Sequence, residues 1–322
     1  MRFIRLAALL LAHLSLVGAA HGQGYPNRPV KIIVPYAPGG LPDTMARIVA
    51  AKLGESLGQQ VVVENKGGAG GINGVTEVVK APADGYTLLV ADVGQVAINP
   101  HIFASLPYEP LKDLAPVSLI GSSPLYLVAH PSVKANTLKE LVALAKAEPG
   151  KLNYGSSGIG SIHHLATEAL KSGFGIDLVH VPYKGTGQSV PALLGGQVAL
   201  LYSALPSIAG HLKDGKVKIL AISTAQRSPQ TPEVPTVAES GVPGYEFVAE
   251  IGMLAPAGTP RDLINRLSAD VAKAVKQQDV VQRFGQLGID PVGSSPEAYG
   301  ALNKADYEKY ARLVKASGAK ID

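Results

Sequence analysis

Short, β-branched apolar runs alternate along this chain with stretches in which apolar residues recur at helical spacing. The run at 30–35 (Val-Lys-Ile-Ile-Val-Pro) reads as a buried strand. Met45, Ile48, Val49 and Leu53 then fall three or four apart, which predicts a helix over 43–57 with Asp43 as its N-cap. A strand at 60–64, a helix at 72–80 stopped by Pro82 and Gly85, and a strand at 86–91 follow. The pattern then restarts. β-type residues occupy 119–129, Thr137 caps a helix running to Ala147, and Asn153 and Tyr154 end a short strand. A helix at 163–172, a strand at 178–182 and a helix at 188–194 come next, and strands at 197–202 and 217–223 bracket a helix at 205–213. The stretch 247–254 is extended, and long helices at 260–278 and 296–317 finish the chain. The last is polar, with Lys304, Glu308, Lys309 and Arg312 facing outward, as expected of an outer layer.

Strand–helix alternation at this spacing implies an α/β fold with mainly parallel sheets. Two similar half-patterns, with crossings near 118–127 and 247–253, predict two lobes and a cleft between them. Residues 23–122 with 248–322 would form the first lobe and 123–247 the second.

Three glycine-rich loops sit where a strand hands over to a helix: Tyr36-Ala-Pro-Gly-Gly-Leu-Pro-Asp43, a second at 65–74, and Tyr154-Gly-Ser-Ser-Gly-Ile-Gly-Ser-Ile-His-His164. Such a junction offers unpaired backbone N–H groups and the positive end of a helix dipole, so it can hold an anion without a charged side chain. In the first loop Pro38, Gly39, Gly40 and Pro42 stiffen and open the turn. In the third, Ser156, Ser157 and Ser161 add hydroxyl donors, and one of them is expected to serve only as a helix cap. The second loop is assigned to close packing of helix on strand. Of His163 and His164, one is expected to pack and the other to face the cleft.

Hydrophobic residues make up 46% of the 322 and charged residues 17%, which suits a packed core and not disorder. The absence of Cys excludes disulfides, thiolate catalysis and Cys-ligated zinc. The first 22 residues read as a secretory signal peptide: Met1-Arg-Phe-Ile-Arg5 is basic, 6–17 is apolar, and Gly18-Ala-Ala-His-Gly22 supplies small residues for cleavage after Gly22, Ala19 or Ala20. Without Arg2 and Arg5 the chain carries 27 Lys+Arg against 25 Asp+Glu, with no basic run. That argues against nucleic acid or a polybasic membrane patch as partner.

Enzyme motifs fail in turn. Gly158-Ile-Gly160 is followed by His163 where a dinucleotide fingerprint needs glycine. The stretch 210–216 approaches a phosphate-binding loop, but Val217 replaces the metal-binding Ser or Thr and the run reads as a helix end. The adjacent histidines point to different helix faces and lack a partner pattern for metal. No cofactor is expected. A hydrolase pairing Ser156, Ser157 or Ser161 with His163, His164 or His180 stays as a rival without support from spacing.

Several motifs occur in order: Val34-Pro-Tyr-Ala-Pro-Gly-Gly-x-x-Asp-x-x-Ala-Arg47, Val63-Glu-Asn-Lys-Gly-Gly-Ala-Gly-Gly71, Ile98-Asn-Pro100 and Leu106-Pro-Tyr108. They continue with Gly155-Ser-Ser-Gly, His164-Leu-Ala166, Val181-Pro-Tyr-Lys-Gly185 and Leu193-Leu-Gly-Gly-Gln-Val198. The ordered set resembles the substrate-binding proteins of tripartite tricarboxylate transporters, the Bug family. The resemblance implies a monomeric periplasmic binding protein of the two-lobed Venus-flytrap type (type II-like), which captures a small organic carboxylate and delivers it to a membrane permease. It also implies that Tyr36, Ala37, Pro38, Gly39, Gly40, Leu41 and Asp43 hold one carboxylate, while Ser156, Ser157, Gly158, Ser161, His164, Tyr202, Ser203 and Ala204 hold the rest.

The chain departs from the family pattern at Ala199, where an acidic residue is expected, and at Ser203, where Asp or Asn is common. Without those acids the expected ligand lacks an amino group: an aliphatic di-acid first, or an aromatic acid such as terephthalate walled by Tyr36, Tyr126, Tyr183 and Tyr202. A sensor that presents ligand to a membrane histidine kinase would have the same fold.

Overall fold

A computed structural model describes residues 24–317. The signal-peptide segment of 1–22 therefore lies outside the described residues. The first sheet has the order β11-β4-β10-β3-β1-β2. Its strands are β1 (Val30–Val34), β2 (Val61–Asn65), β3 (Thr87–Ala91), β4 (Leu114–Pro124), β10 (Val248–Pro256) and β11 (Asp290–Pro291). The second sheet has the order β7-β6-β8-β5-β9. It holds β5 (Tyr126–Ala129), β6 (Asn153–Ser156), β7 (Val179–Pro182), β8 (Leu200–Ser203) and β9 (Lys218–Ile222). Each sheet is the centre of one lobe.

Helices of eight or more residues cover the sheets. They are α1 (Leu41–Leu57), α2 (Ile72–Val79), α3 (Leu138–Ala147), α4 (Ile162–Phe174), α5 (Thr186–Leu194), α6 (Leu205–Lys213), α7 (Arg261–Val275), α8 (Gln278–Gln286) and α9 (Pro296–Ser317). Thr137 caps α3 as expected, its hydroxyl accepting from the Glu140 amide at 3.1 Å.

The sheets are mixed, which corrects the expectation of mainly parallel ones. Among the described pairings four are parallel and five antiparallel. β1 pairs parallel with β2 and β3, and β6 with β7 and β8. The antiparallel pairs involve β4, β10 and β5, the strands that carry the chain between lobes or return it. β4 and β10 run in opposite directions side by side, with two register shifts. Hydrophobic periodicity reports which face a residue takes but not the direction of its neighbour.

Only Leu125 separates β4 in one sheet from β5 in the other. Ser223 ties this crossing to the second one. Its amide donates to Leu125 O at 2.9 Å, its hydroxyl accepts from the Leu125 amide at 3.1 Å, and its carbonyl accepts from the Phe247 amide at 2.9 Å. The two crossings thus lie against each other.

The C-terminal region differs from expectation in one respect. The helix drawn over 260–278 ends at Val275, and a separate α8 follows, because Gln277 is extended (φ −65°, ψ 139°). In α9, Tyr299, Asn303, Asp306, Tyr310 and Val314 are buried at helical spacing, while Lys304, Glu308 and Arg312 are exposed and Lys309 is half-buried. Gly252 in β10 leaves the room the Tyr299 ring occupies; a Cβ there would come within 2.1 Å of the ring. One continuous apolar cluster runs from Ile32, Met45 and Val49 in the first lobe to Leu127, Tyr154 and Leu165 in the second. The lobes are therefore in apolar contact.

Candidate functional site

The C-terminal ends of the parallel strands of both sheets point their loops at one another. Between them lies a small cavity lined by Tyr36, Leu41, Pro42 and Asp92 from the first lobe and by Ser157, His163, Thr186, Ala204 and Ser207 from the second. Ala249 and Ile251 of β10 close its floor. Room for the centre of a water-sized sphere amounts to about 10 Å³, close to what a single water needs.

α1 points its N-terminus at this cavity. It begins at Leu41, with Gly40 as N-cap and Pro42 in the first turn. Asp43 is therefore not the N-cap, contrary to expectation. Proline carries no N–H and its φ suits a helix start, so the helix begins two residues earlier. Asp43 instead reaches back over the turn: Oδ2 accepts from the Gly39 amide at 2.9 Å, and Oδ1 from Arg47 Nε at 3.0 Å and Asn65 Nδ2 at 2.9 Å. Burial raises its pKa, but these donors outweigh that and hold the carboxyl below the usual carboxylate range. Asp43 shapes the loop and does not line the cavity.

The first loop is also the principal contact with the other lobe. The Ala37 amide, expected to hold an anion, donates to Lys184 O at 2.9 Å. Ser207 Oγ donates to Gly39 O at 3.3 Å. Backbones meet closely here because glycines face each other. A Cβ on Gly187 would lie 1.8 Å from Pro38 O, one on Gly67 2.9 Å from Lys184 O, and one on Gly70 2.9 Å from Ile159 O. The second loop thus packs across the seam between lobes. Its packing of helix on strand is also present at Gly74, where a Cβ would meet Lys66 O and Pro35 at 3.1 Å.

On the second lobe Ser161 is the cap, its hydroxyl accepting from the His164 amide at 3.2 Å. Ser157 Oγ lies 2.9 Å from His163 Nδ1, and both residues line the cavity. Ser156 turns the other way, with Oγ 2.7 Å from His180 Nε2 and also in contact with Gly158. His164 stacks on His180 with ring centroids 4.3 Å apart. The cavity-facing histidine is thus His163 and not His164, since adjacent helical residues are turned about 100° apart. Burial pushes His163 down to about 4; burial, then His164 and Lys171, push His180 to about 3, so both rings are neutral near pH 7. Neither Ser–His pair has a carboxylate on its imidazole among the described hydrogen bonds, so the orienting third member of a hydrolytic triad is missing.

Ala204 reaches the cavity, but the two residues before it do not. Tyr202 is fully buried and bonded to Tyr245 Oη at 2.8 Å, and Ser203 is buried with its hydroxyl toward Ala204 O at 3.4 Å. The tyrosine walls proposed for an aromatic ligand do not assemble. Tyr126 is buried beside Thr231, 3.1 Å away, and Tyr183 lines a separate groove with Gly68, Phe103 and Lys184, which leaves Tyr36 alone at the cavity.

Sequence reasoning missed Asp92, Thr186, Ser207 and the β10 floor. Asp92 follows β3 directly, and the C-terminal end of a parallel strand is where α/β folds place ligand groups. That position was the available signal. Asp92 is 3% exposed, and its Oδ1 accepts from Tyr36 Oη at 2.9 Å and from the Gly94 amide at 2.8 Å.

Residues 45–319 match the model of the tripartite tricarboxylate transporter family receptor. The periplasmic binding protein BugD superposes with a TM-score of 0.88 at 35% identity, covering 92% of this chain and 99% of that one. Rpa4515 of R. palustris, solved with adipate, gives 0.88 at 34% identity over 91% and 98% of the two chains. MatC from Rhodopseudomonas palustris, solved with bound malate, gives 0.86 at 34% identity over 90% and 100%.

Proposed function

This chain belongs to the tripartite tricarboxylate transporter family of receptors, and on that premise we propose that it is an exported, periplasmic solute-binding protein. It captures a small aliphatic dicarboxylate between its lobes and delivers it to the permease subunits of a tripartite transporter. The carrying observation is the cavity where α1 of one lobe faces the Ser157–His163 turn of the other. Backbone donors at the start of α1 and the hydroxyls of Ser157 and Thr186 suit an oxyanion, and Leu41, Ala249 and Ile251 suit a short aliphatic chain. The adipate and malate held by the structural neighbours belong to this chemical class. A lone tyrosine at the cavity favours an aliphatic acid over an aromatic one.

The lobes part to admit such a molecule and close around it. Residues 23–122 with 248–322 move as one lobe and 123–247 as the other, bending where Leu125 and Phe247 meet Ser223. Of the residues expected to bind, Tyr36, Leu41, Ser157 and Ala204 touch the ligand directly. Asp43, Ser156, Ser161 and His164 hold the loops in shape.

The test is a thermal-shift and calorimetric screen of the purified mature protein with succinate, adipate, malate, terephthalate, aspartate and glutamate. A di-acid present at 100 times its Kd stabilises by about 2.7 kcal/mol, which raises the melting temperature by several degrees. A protein whose melting temperature none of these acids moves is not a dicarboxylate receptor.

A further inference from the structure

A receptor for anions has a carboxyl group in its own cavity. Asp92 lies at the end of β3 with one oxygen accepting from both Tyr36 Oη and the Gly94 amide. Tyr36 Oη itself accepts from Gln95 Nε2 at 2.8 Å, so its proton is committed to Asp92. The other carboxyl oxygen has no protein donor among the described hydrogen bonds. No Lys or Arg lines the cavity.

The titratable groups nearest Asp92 carry no positive charge near pH 7; beyond them lie the carboxyls of Glu250 in β10, pushed up to about 8 by burial and then Asp306, and of Asp306 in α9, raised by burial, with Lys309 beside that pair. From the first lobe the nearest groups are Tyr36 and, behind it, Tyr108, both with raised pKa. From α9 they are Tyr299 and Tyr310, also raised. From the second lobe the group is His163, pushed down to about 4. The remaining wall is largely apolar: Leu41, Pro42, Ala204, Ala249 and Ile251. An ionised Asp92 would therefore face a ligand carboxylate with no cation between them, and like charges in such a place do not both persist.

We propose that Asp92 holds the ligand as a carboxylic acid: it takes up one proton when a di-acid enters and donates a hydrogen bond to a ligand carboxylate oxygen. The proton comes from solvent and sits on the oxygen that lacks a protein donor. The site thereby selects small acids that carry no ammonium group, and binding tightens as the pH falls. This rests on the dicarboxylate reading above. Burial raises Asp92 to about 6 against the opposing bonds from Tyr36 and Gly94, which puts its protonation within reach near neutral pH.

Calorimetry of the wild-type protein with adipate and with succinate, at pH 7.5 in two buffers of different ionisation enthalpy, counts the protons. Uptake approaching one proton per ligand is expected, with affinity falling up to tenfold per pH unit between 7 and 8.5. Asp92→Asn, which is neutral and keeps a donor, should bind with no proton uptake and a flat pH dependence, and more tightly than wild type at pH 8.5. Binding of a di-acid by wild type without proton uptake overturns the inference and leaves the dicarboxylate reading intact. Preference of wild type for aspartate or glutamate, lost in Asp92→Asn, also overturns it and makes Asp92 an ammonium partner. A wild-type protein that binds no di-acid overturns both. The wild-type proton count decides the matter even if the variant does not fold.

Discussion

Gly187→Ala separates closure of the lobes from their folding. Gly187 is the second residue of α5, where alanine is favoured over glycine by up to about 1 kcal/mol. Neither lobe's core loses a contact, so the free protein should melt no lower than wild type. The added methyl would, however, lie 1.8 Å from Pro38 O, and Cβ atoms do not come within 3.0 Å of such a neighbour. The loops must part by more than about 1 Å, and the obstacle is a backbone carbonyl that cannot rotate away. That breaks the Ala37–Lys184 hydrogen bond, now 2.9 Å, and the Ser207–Gly39 bond, now 3.3 Å. At about 0.5–1.5 kcal/mol net for each bond, closure loses about 1–3 kcal/mol, or roughly 5- to 150-fold in affinity. Isothermal titration with adipate reads the affinity, and circular dichroism melting of the ligand-free protein reads the fold. Gly210→Ala, in α6 and away from the cavity lining, is the control, since a methyl there meets nothing within 4 Å. Wild-type affinity in Gly187→Ala would refute the reasoning, because the loops would then not meet in the bound state.

Two more predictions concern carboxyl groups. Asp43→Ala leaves the Gly39 amide, Arg47 and Asn65 without their acceptor and should cost about 1–3 kcal/mol in urea unfolding at pH 7. Because the folded-state pKa of Asp43 is depressed, its stabilisation is present above about pH 4 and is lost as the pH falls through the folded value. The gap between wild type and variant should therefore narrow in acid, and a constant gap would contradict the assignment. Glu250 of β10 is pushed up to about 8 by burial and then by Asp306 of α9, with Lys309 opposing. A raised carboxyl stabilises the fold below its unfolded value near 4.3 and loses that contribution as the pH rises toward 8. Glu250→Gln should thus raise the melting temperature relative to wild type at pH 8 and not at pH 5; equal shifts at both would dismiss the linkage.

The site was legible in part, for reasons that particular residues show. The loop 36–43 announces itself because a helix start and a close approach to the other lobe need glycine and proline, and backbone requirements leave marks in sequence. The same loop misled on Asp43, whose partners Arg47 and Asn65 include one 22 residues away. The third loop left open which of its two histidines faces inward, because that depends on where the helix starts, and the Ser161 cap with a start at Ile162 turns His163 to the cavity. Asp92 carries no motif. Its importance comes from Tyr36, 56 residues earlier, and from a floor supplied by β10, more than 150 residues later.

The order of strands and helices, the presence of two half-patterns and the family itself are written in the chain, because periodicity and short backbone motifs are local properties. The direction of neighbouring strands, the glycine seam and the carboxyl group inside the interlobe cavity are not. They arise where segments distant in sequence press together, and there burial sets both which contacts a Cβ would forbid and how far a carboxyl such as Asp92 is pushed toward its neutral form.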